Sequence, residues 1–222
     1  MDVIEGVSVG PMTPESQFVR PLRMYYKQNK VDKVWDLVSL HDSVCVILFN
    51  TDRQKVVLVR QFRPAVYYNG VSVEERQALG GCVDTAKHPG KDGLTLELCA
   101  GIVDKQLSLA EVAQLEALEE CGYNVPVEKF EHVKTCRAGV GVSGDRMTMF
   151  YAEVTDAMKE SEGGGLEAEG EMIEVVEMGL PEVKEFLAAP EVTAPSGLLF
   201  GLTWFLYNKA PGVSTSTTTT NT

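Results

Sequence analysis

Two short apolar runs constrain the fold more than any other feature of the chain. "SVCVILFN", residues 43–50, is apolar almost without interruption. After the polar break "TDRQ" the chain resumes with "KVVLVRQF", residues 55–62. A run of strand length without polar alternation reads as a buried strand, and two of them around a short polar break read as a hairpin-like pair. "LTLELCAG" (94–101), the stretch 130–136, "MTMFYAEV" (147–154) and "MIEVVEM" supply further strands, and helical patterns lie over 109–121, 181–189 and 195–208. Strands with well-separated helices that must cover them predict an α/β fold, a sandwich around a mixed sheet.

Punctuation divides the rest. Residues 1–40 alternate apolar and polar groups, as in "RPLRMYYKQ" and "KVWDLVSL", and read as a small antiparallel β element. Its aromatics, Tyr25, Tyr26 and Trp35, are the type that strands more often bury. Residues 64–93 carry Pro64, Gly70, Gly80, Gly81, Pro89 and Gly90 and read as a long loop, which in a compact domain is often functional. Phe200, Trp204 and Phe205 mark the last helix, with Trp204 and Phe205 read as core. The tail "STSTTTTNT" is low-complexity and reads as disordered. The expected division is an N-terminal element over 1–40, a main domain over 41–210 and a tail over 211–222.

Charge and cysteine usage narrow the function classes. A net charge of −12 repels a nucleic-acid backbone, so no nucleic-acid partner is expected. It does not disfavour a small anionic ligand, because divalent cations bridge carboxylates to phosphates. The cysteines, Cys45, Cys82, Cys99, Cys121 and Cys136, are odd in number and none are spaced as a zinc motif requires. Cys45 and Cys99 sit in apolar runs as small hydrophobes. A reducing compartment follows. No apolar stretch reaches the ~18 residues of a membrane span, and the N-terminus has no basic, then apolar, leader pattern. A cytoplasmic protein with no membrane partner is the expectation.

The best-marked helix raises the sharpest question. Ser108 with Glu111 three residues on forms a capping box, and Gly122 supplies the C-terminal stop. On its last turn stand Glu116, Glu119 and Glu120, sharing one face. They repel one another there, and the negative end of the helix dipole disfavours all three. A solvated acidic face and a site for a hard divalent cation such as Mg²⁺ or Mn²⁺ are the two readings that helix physics leaves open.

Read from Gly101, "GIVDKQLSLAEVAQLEALEECGY" resembles the Nudix box, G-x5-E-x7-R-E-U-x-E-E-x-G-U, where U is a bulky apolar residue. Gly101, Glu116, Glu119, Glu120 and Gly122 with Tyr123 match at the right spacing. Leu107 and Leu115 replace the pattern's first glutamate and its arginine. Outside the box, "VVLVRQFRPAVY", "ELCAG" and "GLEAEGEMIEV" are similar to segments of the ADP-sugar and UDP-sugar pyrophosphatase branches of the Nudix hydrolases.

That resemblance implies the Nudix α/β/α sandwich and hydrolysis of a nucleoside diphosphate sugar, UDP-glucose giving UMP and glucose 1-phosphate. ADP-ribose hydrolysis and a catalytically inactive nucleotide-sugar-binding module are its alternatives. It implies Mg²⁺, or Mn²⁺, held by Glu116, Glu120, Glu171 and the Ala100 carbonyl, with Glu119 binding or orienting a ligand. Glu169 or Glu171 would be the base, on a glycine-rich loop, Gly163 to Gly165, able to close over substrate. Arg63 is the first candidate for the phosphates. Arg146 is a weaker one and Arg60 weaker still. The resemblance further implies a homodimer whose N-terminal element helps build the partner's site. The double replacement at Leu107 and Leu115 puts the orientation of Glu116 and Glu119 in question.

Overall fold

The computed structural model describes residues 3–12, 16 and 18–212, apart from the Glu169 side chain. The tail expected over 211–222 therefore lies outside the described residues from 213 onward. Strands β1 (Arg20–Gln28) and β2 (Val31–Ser39) form an antiparallel ribbon of their own. The other strands are β3 (Ser43–Asn50), β4 (Lys55–Phe62), β5 (Leu94–Glu97), β6 (Cys99–Ile102), β7 (Glu131–Arg137), β8 (Arg146–Val154) and β9 (Ile173–Gly179). They make one sheet in the order β5-β4-β3-β8-β7, with β6 also on β3 and β9 also on β4. The β3–β8 pair is parallel and the others antiparallel, so the sheet is mixed as expected.

The continuous apolar runs are explained by what lies on each side. Side chains alternate across a strand. Val44, Val46 and Leu48 of β3, with Val57 and Val59 of β4, pack on one face against Val112, Ala113, Ala117 and Cys121 of helix α3 (Leu109–Cys121). Cys45, Ile47 and Phe49, with Val56 and Leu58, pack on the other face. There they meet Val183 of α4 (Leu180–Ala188) and Leu198, Leu202 and Phe205 of α5 (Ser196–Asn208). Burying a side chain of this size contributes about 1.5–3 kcal/mol, and here both faces of each central strand gain it. The result is an α/β/α sandwich. Among the described residues no helix is long and apolar enough to cross a membrane.

Two expectations are corrected. Residues 64–93 are not simply a loop. They hold α1 (Pro64–Gly70) and α2 (Val73–Ala78), started by Pro64 in the first turn and by Ser72, whose hydroxyl accepts from the Glu75 amide at 3.3 Å. Tyr67, Val71 and Val83 form a small core there with Val7. The ribbon aromatics are not core either. Tyr25 is 74% and Trp35 51% exposed, because among the described residues β1 and β2 pair only with each other. The ribbon meets the loop before β8 through the Trp35 indole N–H to the Gly141 carbonyl (3.0 Å) and the Val38 amide to the Val142 carbonyl (2.9 Å).

Candidate active site

Helix α3 begins as its sequence predicts. The Ser108 hydroxyl accepts from the Glu111 amide at 3.3 Å, and the Glu111 carboxylate accepts from the Ser108 amide at 2.7 Å. It ends at Gly122, whose φ of 79° only glycine adopts freely. The following segment turns back on the helix. The Gly164 amide donates to the Glu120 carbonyl (2.9 Å) and the Gly165 amide to the Glu119 carbonyl (3.0 Å). The glycine-rich loop is therefore not a free flap in this state; it satisfies the open carbonyls of the helix end. It then delivers Glu171, whose carboxylate accepts from the Leu166 amide at 2.8 Å.

These elements enclose a cleft of about 540 Å³ whose walls include Arg63, Ala100, Glu116, Glu119, Glu120 and Glu171. Strand β6 forms the floor. The Ala100 amide donates to the Glu120 carboxylate at 2.9 Å. Gly101 is a matter of space: a Cβ there would fall on the Glu116 carboxylate.

Negative charge predominates in the cleft. Glu120 is only 3% exposed. Burial foremost, with the charges of Glu116 and Glu171, pushes its carboxyl up to about 8 against the pull of the Ala100 hydrogen bond. Burial, then the charges of Glu119 and Glu171, push Glu116 up to about 7, against the pull of Lys105. Among the described residues, none of these carboxylates is ion-paired with a lysine or arginine. They share a cleft without forming a preformed ligand cage. Oxygen-only donors without a direct ion-pair partner, with Glu120 buried and Glu116 and Glu119 half-buried, fit a hard divalent cation.

No family model matches the chain. It is 44% identical over 225 residues to the uridine diphosphate glucose pyrophosphatase of Bos taurus, covering 96% of this chain and 99% of that one. The Mus musculus protein of the same name is 42% identical over 224 residues, with the same coverage. The chain belongs to the Nudix hydrolase family. A GDP-mannose pyrophosphatase of Cronobacter sakazakii is 34% identical over 145 residues, 65% of this chain and 63% of that one.

Within this Nudix fold the expected site residues divide. Ala100, Glu116, Glu119, Glu120, Glu171 and Arg63 come together in the cleft. Glu169 lies on the short turn Glu167–Glu169 just before Glu171. Arg146 does not line the cleft. Its amide and Nε donate to Asp42 at 2.8 and 2.9 Å, and the backbone bond foremost holds the Asp42 carboxyl below its ordinary value. Arg60 is paired with Glu174 at 3.0 Å. Leu107 is exposed and Leu115 half-buried, and neither belongs to the core clusters. The Nudix box has thus replaced its charged pair without gaining core packing in exchange.

Sequence reasoning missed Lys105 and Glu97. Lys105 lines the cleft from within the box and was legible as its nearest cation. Glu97 grips Arg63 through Nε at 2.7 Å and Nη2 at 2.6 Å. No local signal shows that pairing, because it follows from the register of β4 on β5, with Gln61 opposite Thr95.

Proposed function

We propose that this chain hydrolyses the diphosphate of nucleoside diphosphate sugars, converting UDP-glucose to UMP and glucose 1-phosphate. The observation that carries the reading is the gathering of Glu116, Glu119, Glu120 and Glu171 with Arg63 in one cleft, in a chain similar over nearly its whole length to uridine diphosphate glucose pyrophosphatases. Ala100, Glu116, Glu120 and Glu171 would hold Mg²⁺ or Mn²⁺, which when bound neutralises phosphate charge and acidifies a water. Arg63 binds the outer phosphate oxygens, for which a guanidinium fork is well shaped. Glu119 orients the ligand set from the same helical turn. Glu171, or Glu169 beside it, takes the proton from the attacking water. Arg146 remains a second candidate for the substrate only if it leaves Asp42.

We assign the ribbon to a homodimer interface. Leu22, Met24, Tyr25, Val31, Val34 and Trp35 are all exposed on it, a concentration of apolar surface that supports association. All five cysteines are free thiols, which supports a reducing compartment, the cytoplasm.

The test is a product assay with UDP-glucose, GDP-mannose and ADP-ribose in parallel, with Mg²⁺ and with EDTA. Formation of UMP and glucose 1-phosphate, lost in EDTA, is the expected result. Preferred cleavage of ADP-ribose or GDP-mannose would move the chain to another branch. No turnover of any of them by the folded, Mg²⁺-supplied protein would make it a binding module.

A further inference from the structure

The Arg63–Glu97 pair stands at a boundary. Arg63 lines both the carboxylate cleft and a neighbouring cleft of about 520 Å³ formed with Ala65, Val66 and residues 192–195. Glu97 lines only the neighbouring one. Glu97 is buried and accepts from Thr95 Oγ1 at 2.5 Å as well as from Arg63. The grip is side-on, through Nε and Nη2. A guanidinium is a rigid planar fork, so this bond also fixes where the Nη1 amino group and the second Nη2 hydrogen point. The charges of Glu120 and Glu171 reach the guanidinium as well, which places it within electrostatic range of the site.

A buried carboxylate beside a site for an anionic substrate is unfavourable in itself, and its presence there calls for a compensating role. We infer that Glu97 is a positioning residue for the diphosphate reaction: from the cleft behind, it locks Arg63 so that the unused edge of its guanidinium is aimed at the substrate phosphates. The inference rests on the function proposed above. A positioning role and a bystander role predict opposite signs. Neutralising a bystander carboxylate removes repulsion, so substrate binds more tightly and kcat is kept. Neutralising a positioning carboxylate frees Arg63 to swing, and misplacement by about 1 Å costs on the order of 100-fold.

The experiment is steady-state kinetics of the Mg²⁺-supplied full chain with UDP-glucose, for the wild type, Glu97→Gln, Arg63→Lys and the double variant. Thermal melting checks the fold of each. Glu97→Gln is expected to lower kcat roughly 100-fold while KM stays level or falls. Added to Arg63→Lys, it is expected to cost no more than about a further twofold, because the two residues act as one unit. Wild-type kcat in Glu97→Gln, or full additivity in the double variant, overturns the inference and leaves the functional reading intact. A wild type without turnover overturns both. Should Glu97→Gln fail to fold, Thr95→Val removes the other bond that holds Glu97, and kcat is expected to fall about tenfold; an unchanged kcat there overturns the inference.

Discussion

The two ends of α3 follow opposite rules. At the start, Ser108 and Glu111 close a capping box, and the acidic Glu111 sits where the helix dipole welcomes it. At the finish, Glu116, Glu119 and Glu120 crowd the dipole's negative end, and burial with mutual repulsion lifts Glu116 to about 7 and Glu120 to about 8. One helix thus carries a terminus arranged for stability and a terminus arranged against it. The difference teaches where to look: local rules are kept where the helix only has to form, and broken where it has to bind.

The contrast can be broken most sharply at Glu120. Glu120→Gln is expected to reduce turnover at least ~1,000-fold, in keeping with the several kcal/mol that metal binding supplies to such chemistry. The same variant is expected to melt no lower than wild type in EDTA at pH 8, since it removes a strained buried charge. Product assay and thermal melting read the two effects separately, and a large loss of melting temperature would show that Glu120 serves the fold instead.

Gly101→Ala attacks the same end by volume. Its methyl group occupies the place of the Glu116 carboxylate, and roughly 100-fold slower turnover is expected from the displaced ligand. Activity close to wild type would mean that Glu116 has room to relocate without consequence.

The acidic end also predicts a pH dependence of stability. Both carboxyls have folded values raised above the ordinary 4.5. The folded state therefore holds protons that the unfolded state releases, so stability is greatest below about pH 4.5 for these groups and is lost as pH rises through about 7 and 8. In EDTA, the melting temperature is expected to fall across that window by more than a single helix cap contributes. Saturating Mg²⁺ is expected to flatten the fall. A melting temperature that rises from pH 5 to 8 in EDTA would contradict it.

The smallest effect belongs to the other end. Ser108→Ala is expected to cost about 1 kcal/mol of stability with kcat unchanged, read by denaturant unfolding beside the product assay. A loss of activity there would show that the two ends are coupled through the helix.

Legibility followed the range of the interactions. The burial of β3 and β4 on both faces was visible because each strand carries its own unbroken apolar run. Both stops of α3 were visible because a cap is a local device, and the glutamates because their spacing is fixed by one turn. What escaped was set by partners distant in sequence. α1 and α2 are too short to show a helical period. The ribbon aromatics alternate as buried strand residues do, yet among the described residues no second sheet pairs with the ribbon. Arg63 and Arg146 were legible as cations, whereas the carboxylates that hold them, Glu97 and Asp42, depend on strand register and on which strands lie side by side. The role of the glycine segment was half visible: three glycines announce freedom of φ, but not the helix carbonyls to which two of their amides are tied.

That tie makes the segment from Gly165 to Glu171 a measured span. One end is fixed to the last turn of α3, and the other must place a carboxylate in the cleft while β9 begins two residues later. Residues between those anchors are free to change in kind as a lineage drifts, but adding or removing one would leave Glu171 short of the cleft or past it. Among sequences that keep this site, that interval should vary in its letters and hold its count.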